Sequence, residues 1–184
     1  MLQFLEVGTA AQVKVFAASC AERMAQLFTG VVGRDAERLS DVELAIRCME
    51  RLWEFEADGQ WDELSQSFES LPELSGEDEP MGALAYAYDS AACLYYASVY
   101  RGTLDSVNVQ YCSNHALNGA GFMSGELSDG VDREEIELEC QLRDIGDLSL
   151  EVMPNIPQGL VASIRARSRE LSRIRLMELL NAMS

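Results

Sequence analysis

The sequence contains almost no lysine. Its 14 lysines and arginines, of which Lys14 is the only lysine, face 31 aspartates and glutamates, for a net charge of −17 over 184 residues. Nucleic-acid phosphates and anionic membrane surfaces repel a protein of this charge. We therefore expect neither direct nucleic-acid binding nor membrane docking. A basic partner suits the charge better, although high solubility alone would also explain it.

No two cysteines are spaced as C-x-x-C, and the chain begins without a basic segment followed by a continuous apolar run. The five cysteines are Cys20, Cys48, Cys93, Cys112 and Cys140. Their odd number and their scatter favour buried free thiols in a reducing compartment over disulfides or a zinc site. The missing basic and apolar pattern argues against a secretion signal. We expect a cytoplasmic protein.

Recognisable catalytic motifs are also missing. Serine or cysteine nucleophilic chemistry would have to use His115, the one histidine, and no local motif marks a nucleophile. Glu-x-x-His does not occur, which argues against a di-iron site, and Gly119-Ala120-Gly121 lacks the rest of a nucleotide fingerprint. Residues 75–79 lack the alternating ligands of a calcium loop. We expect no cofactor, no metal and no enzymatic activity.

Helical periodicity is what the sequence does contain. Apolar residues recur at helical spacing, no stretch alternates as a strand does, and no linker divides residues 1–184. We predict an all-α fold, a compact single-domain bundle of about seven helices with a central apolar helix over residues 81–100. The helices are expected over residues 9–28, 40–58, 61–68, 81–100, 103–122, 132–148 and 155 to nearly the end, with loops over 71–80 and 123–130.

Helix ends and buried faces are predicted from the same pattern. Thr9, Thr103 and Asp132 can cap helices, and Ser40 with Glu43 fits a capping box. Two apolar stripes mark the faces expected to be buried in the last two helices. They are Leu138, Leu142, Ile145 and Leu148 in one, and Leu160, Ile164, Leu171, Ile174 and Met177 in the other.

The stretch from Met81 to Tyr100 is apolar enough to be confused with a membrane span. Asp89 lies near its centre, and its tyrosines are spread through its depth. A charge at the centre of a bilayer costs about 3 kcal/mol or more, so a buried helix within a bundle is the better interpretation. Asp89 itself could be catalytic. A structural role is favoured, in which its carboxylate accepts hydrogen bonds from tyrosine hydroxyls or caps a neighbouring helix. Asp89 and His115 together form a possible buried polar site.

Nearly all the excess negative charge lies in residues 41–80 and 124–151. These two blocks could form an acidic surface for a basic partner, or they could simply be solvated helix faces. The arginines over 165–175 are expected to pair with the acidic blocks rather than to bind phosphate. The candidate partner contacts are Asp58, Asp62, Glu63, Glu73, Glu77, Asp78, Glu79, Asp132, Glu134 and Glu135.

Four segments resemble the YjaG-like family of small bacterial all-helical proteins, which has no established function. They are FAASCAERM over 16–24, LWEF over 52–55, AYAYDSAACLYYAS over 85–98 and ELECQLRDIGDL over 137–148. These segments follow core-helix patterns. The resemblance therefore implies an all-helical fold and brings no catalytic residues.

The function predicted from these features is binding of another protein. The most concrete form is an immunity protein that neutralises a cognate bacterial toxin by occluding its basic active site. One alternative is a small helical enzyme or ligand-binding protein that uses a pocket near Asp89. Another is a regulatory homo-oligomer with the C-terminal helix as its interface, so the protein would be a monomer or a homodimer.

Overall fold

The structure is a computed structural model that describes residues 1–54, 59–76, 82–150 and 156–183. Every regular element in these ranges is helical, which confirms the all-α class. The described residues form nine α-helices and a 3₁₀ turn at Ala36–Arg38. The helices are α1 Leu2–Val7, α2 Ala10–Val32, α3 Leu39–Leu52, α4 Trp61–Glu69, α5 Pro72–Ser75, α6 Ala83–Thr103, α7 Val107–Leu127, α8 Arg133–Ser149 and α9 Gln158–Ala182.

Helix α6 lies at the centre of the bundle, as the apolar run predicts. It packs against α2, α7, α4, α3 and α5. Small side chains make these close contacts possible, because Ala87, Ala91 and Ala97 are fully buried along α6. Of the helices in the described residues, none is both long enough and apolar enough to cross a membrane.

Helix starts are predicted correctly where a single side chain sets them. The Thr9 hydroxyl accepts from Gln12 N at 3.3 Å, and Gln12 Oε1 accepts from Thr9 N at 2.7 Å, which closes a capping box at α2. Asp132 caps α8 by accepting from Glu135 N at 2.9 Å. The capping box expected at Ser40 is wrong, because the 3₁₀ turn winds directly into α3 one residue earlier.

Other helix boundaries differ from the prediction. Thr103 is the last residue of α6 rather than a cap, and α7 follows Ser106. Helix α7 continues to Leu127, so most of the loop expected over 123–130 is helical. The short helices α1 and α5 raise the count above seven, because single helical turns carry too little periodicity to be recognised in a sequence.

The two apolar stripes expected to be buried in α8 and α9 are buried only in part: Leu148 and Ile164 are fully buried as predicted, but four other members are exposed. In α8, Leu138 and Leu142 are 45% and 55% exposed, and Ile145 is half-buried. In α9, Ile174 and Met177 are 40% and 47% exposed. Both helices instead bury a mainly polar face. Its members are Arg133, Glu137, Gln141, Asp144 and Leu148 in α8, and Ile164, Ser168, Ser172, Arg175 and Leu179 in α9.

Arg23 of α2 explains this inversion. Its guanidinium donates to Glu137 Oε1 at 2.9 Å and to Asp144 Oδ2 at 2.6 Å, and all three side chains are at most 1% exposed. Burial lowers the pKa of Arg23, but Glu137 and Asp144 raise it well above its ordinary value. Arg175 of α9 lies 3.0 Å from Glu137 as well. A buried charge needs such partners, so α8 turns its charged face inward, and α9 adds Arg175 to the cluster.

The five cysteines are free, and four of them are fully or almost fully buried. Burial raises the pKa of Cys48 to about 12, and it raises those of Cys20 and Cys93 well above their ordinary value. Thiol reagents attack the thiolate, so these groups are protected by both access and protonation. Cys140 is only half-buried.

We therefore predict that a thiol-specific reagent at pH 8 will modify Cys140 alone in the native protein. Mass spectrometry of the labelled chain should show a single adduct, and after denaturation it should show one on every cysteine. A Cys140→Ser variant should give no native adduct. Rapid labelling of a second thiol in the native protein would contradict this account of the core.

Candidate binding site

Asp89 and His115 form a pair between α6 and α7. His115 Nδ1 lies 2.8 Å from Asp89 Oδ1, and the two side chains are 17% and 13% exposed. Because a carboxylate only accepts, the contact places a proton on Nδ1. The predicted polar site is therefore brought together. The predicted donors were wrong, since the described hydrogen bond to Asp89 comes from His115 and not from a tyrosine hydroxyl.

Tyrosine rings surround this pair. The ring of Tyr96 stacks on His115 with 5.5 Å between centroids, and Tyr88 meets it edge-on at 5.8 Å. The centroid of the Tyr96 ring also lies 5.0 Å from that of Tyr95 and 4.9 Å from that of Tyr111. Burial is the main cause that raises the pKa of Tyr96. The result is one continuous aromatic cluster.

A cavity of about 250 Å³ opens beside this cluster. We call it the tyrosine cavity. Its lining residues are Glu69, Leu74, Tyr88, Ala92, Tyr95, Tyr96 and His115. Glu69 is exposed at the end of α4. Burial, and then the charge of Glu69, raise the pKa of Tyr95. Helices α4 to α7 therefore all contribute to a cavity that combines aromatic walls with negative charge.

Close packing of α6 on α7 holds Asp89 in position. A Cβ atom added to Gly119 would lie 2.9 Å from Asp89 Cβ and closer still to Met24 Cε. The Met24 side chain can bend away, but Asp89 Cβ is fixed to the α6 backbone. Glycine at position 119 thus sets the distance between the two helices next to the Asp89–His115 pair.

Gly119→Ala should accordingly destabilise the fold by about 1–3 kcal/mol through overpacking. It should also move the His115 ring resonance, because Asp89 must shift. Gly125→Ala, in the same helix with nothing within 4 Å of the added atom, is the matched control. It should stabilise the protein by about 0.5–1 kcal/mol. Thermal unfolding and an aromatic NMR spectrum of both variants measure these effects, and equal behaviour of the two would refute the close approach.

The acidic candidates near α4 divide into separate groups. Asp62 and Glu63 are exposed on its first turn. Glu73 was predicted to contact a partner, but the structure buries it. Its carboxylate accepts two hydrogen bonds from Arg38, at 2.6 and 2.8 Å, and its side chain is 1% exposed. Four further candidates lie outside the described residues. These are Asp58, Glu77, Asp78 and Glu79.

Asp132, Glu134 and Glu135 are exposed at the start of α8. Glu134 lies against Gly121, near the end of α7. That end of α7 meets the start of α6, because the rings of Tyr86 and Phe122 are 4.9 Å apart. Asp62 lies by contrast beside Gly102, at the end of α6. At 1.5 Å per residue, the two acidic groups are about 24 Å apart along α6, with the tyrosine cavity between them along that axis.

The arginines of α9 are paired, as expected. Arg165 and Arg169 contact Glu50, at 2.6 and 3.0 Å. Arg167 contacts Asp144 and Asp147, each at 2.6 Å. These acids come from residues 41–80 and 124–151, so the predicted pairing with the acidic blocks holds for these three arginines, whereas Arg173 pairs with Glu170 in α9 itself. No ion pair within the described ranges involves the exposed acids of α4 or those at the start of α8. They are Asp62, Glu63, Glu69, Asp132, Glu134 and Glu135.

The chemistry open to this site is recognition, with acid–base chemistry at His115 as a further capacity. No group of three or more histidine, cysteine, aspartate or glutamate side chains that could hold a metal ion is found in the part of the chain that the structure describes. Glu69 was not among the predicted site residues, and no spacing pattern singles it out. The aromatic wall of the cavity was visible from spacing, because Tyr88, Tyr95 and Tyr96 share a face of α6, and Tyr111 and His115 share one of α7.

The fold is similar to that of a protein whose crystal structure is known. A DUF416 family protein from Shewanella baltica OS155 superimposes with a TM-score of 0.69 over 92% of this chain and 93% of that chain. The two sequences are 18% identical, so the likeness shows a shared fold alone. No protein-family model and no curated protein matches the sequence. The resemblance to the YjaG-like family remains a prediction.

Proposed function

We propose that this protein binds a basic protein partner, and that its concrete role is that of an immunity protein which occludes the active site of a cognate toxin. The distribution of charge carries the proposal. The arginines of α9 are paired with acids, whereas the acids of α4 and of the start of α8 are exposed and form no described ion pair. Exposed acids without a described ion pair therefore lie near both ends of α6, and at the α4 end Arg47 and Arg51 line a pocket together with Glu63.

The tyrosine cavity lies between these ends and supports the same proposal. Tyrosine is enriched at protein interfaces because a rigid ring offers contact area at little entropic cost, together with a hydroxyl that can hydrogen-bond. Acidic groups on either side would raise the association rate with a basic protein. They would also mimic the anionic substrate that a nucleic-acid-cleaving toxin binds.

The test is affinity capture of the tagged protein from its host, at low and moderate salt, with the bound protein identified by mass spectrometry. The proposal requires one stoichiometric basic partner, weaker capture at the higher salt, and loss of the partner's own activity when the purified proteins are mixed. A clean preparation that captures no basic protein at either salt would refute it. A captured protein that stays fully active would refute the inhibitory role.

A second candidate is a ligand-binding protein or small enzyme that uses the tyrosine cavity. The observation in its favour is the Asp89–His115 pair, which orients an imidazole toward a cavity large enough for a small molecule. This alternative predicts that some member of a metabolite panel raises the melting temperature. Uniformly flat thermal shifts would count against it.

A further inference from the structure

The tyrosine cavity has the composition of a site for a positively charged organic group. Its volume of about 250 Å³ is that of about eight water molecules in liquid water. This is enough for a guanidinium or a substituted ammonium group. We propose that the cavity binds such an organic cation. The ring faces of tyrosine are electrically negative and attract cations of this kind, which shed water more readily than small inorganic ions do.

The charge of the cavity favours a cation in either protonation state of His115. Glu69 and Asp89 supply two negative charges, whereas His115 supplies at most one positive charge. Among the described residues that line the cavity, none is a lysine or an arginine. The cavity therefore stays negative when His115 is protonated, and an anionic ligand would meet repulsion.

Glu69 supplies the charge that selects a cation over a neutral group of the same shape. It is exposed at the mouth of the cavity, forms no ion pair with another described residue, and lies close enough to Tyr95 to raise the pKa of that phenol. Asp89 is engaged by His115, so its role is to orient the ring that Tyr96 covers. A cation entering the cavity thus meets tyrosine rings and a carboxylate that is not paired with an arginine.

The cation has two possible sources with the same chemistry. One is the arginine or lysine side chain of a protein partner, and this version rests on the proposed function. The other is a free small molecule. Both sources predict the same contacts, so the experiment first tests the chemistry and then separates the sources.

The readout is the ring resonance of His115, which is unambiguous because the chain has one histidine. N-acetyl-arginine amide and tetramethylammonium are titrated beside their neutral counterparts, N-acetyl-citrulline amide and tert-butanol. We expect saturable shifts with the cations, at a Kd on the order of 1 mM, and none with the neutral probes. Equal shifts with the neutral probes, or no saturable shift with either cation, would overturn the proposal.

Variants locate the binding. Glu69→Gln should weaken cation binding by about fivefold, and Tyr88→Leu should weaken it to a similar extent. Glu43→Gln, a change of the same kind at an exposed position in α3, should leave the Kd unchanged. Binding that is indifferent to both Glu69→Gln and Tyr88→Leu would place the cation elsewhere and overturn the assignment.

Failure of this inference can be told apart from failure of the proposed function. If the cations bind as expected and no basic protein is captured, the site stands with a free molecule as its ligand. If a basic partner is captured and N-acetyl-arginine amide competes with it, the ligand is a partner side chain. If a partner is captured while His115 is unmoved by every probe, the cation site is refuted and partner binding stands.

Discussion

Glu137→Ala is expected to lower the free energy of unfolding by about 3–5 kcal/mol. Glu137 is fully buried, and its carboxylate lies 2.9 Å from Arg23 and 3.0 Å from Arg175. It also accepts from Gln141 Nε2 at 3.0 Å. Removing the carboxylate leaves two buried guanidinium groups with less countercharge, and that is the main source of the penalty.

The penalty is large because arginine cannot relieve it by losing its proton. A buried lysine would shift its pKa and become neutral, but a guanidinium stays charged at any ordinary pH. Asp144 remains available, yet it is already engaged by Arg23 and Arg167. The helix pair α8 and α9 should therefore loosen from α2, since polar side chains carry much of their contact with it.

Glu139→Ala is the matched control, because Glu139 is exposed in the same helix and forms no ion pair within the described residues. Its effect should stay within about 0.5 kcal/mol. Urea denaturation followed by circular dichroism measures both variants. A loss below about 1 kcal/mol for Glu137→Ala would mean that the buried cluster is less tightly coupled than its geometry indicates.

The core of the bundle was predictable because its signals are local. The helical class and the central position of α6 follow from apolar periodicity within single segments. Thr9 and Asp132 mark helix starts because a cap depends on a side chain and amide groups a few residues away. Predictions of this kind need no knowledge of which helices become neighbours.

The buried faces of α8 and α9 were not predictable in the same way. Leu138 and Leu142 looked like core positions, but what packs against α8 is set by Arg23, more than 100 residues away in sequence. Glu137, Gln141 and Asp144 do recur at helical spacing, so a polar face was visible. Whether a polar face meets solvent or a buried arginine depends on tertiary pairing.

The Asp89–His115 pair lies between these cases. Both residues stand out in the sequence, one as a lone carboxylate in an apolar helix and the other as the one histidine. Their contact requires α6 and α7 to pack as an antiparallel pair at close range, which Gly119 allows. Glu69 was harder to recognise because an exposed acid in an acidic chain carries no distinguishing signal.

Reversing the exposed charges of α4 is expected to slow association with the captured partner at least about tenfold at low salt. The variant is Asp62→Lys, Glu63→Lys and Glu69→Lys together. These side chains form no described ion pair, so their replacement should leave the fold intact. Their field should steer a basic partner toward the tyrosine cavity, and that steering is lost when its sign is inverted.

The control reverses three exposed acids on other elements and therefore makes the same change in net charge. It combines Glu6→Lys in α1, Glu37→Lys in the 3₁₀ turn and Glu43→Lys in α3, all exposed positions. Stopped-flow association at several salt concentrations compares both variants with the native protein. If net charge alone steers the partner, the two variants should slow association equally.

If the α4 surface is the docking face, its variant should lose most of the salt dependence of the association rate, while the control keeps it. The physical reason is range, since screening at about 0.15 M salt limits charge effects to roughly 8 Å. Only acids close to the interface act at that distance. An association rate unchanged by the α4 reversal would remove this face from the proposal and leave the acids at the start of α8, about 24 Å away along α6, as the place to look next.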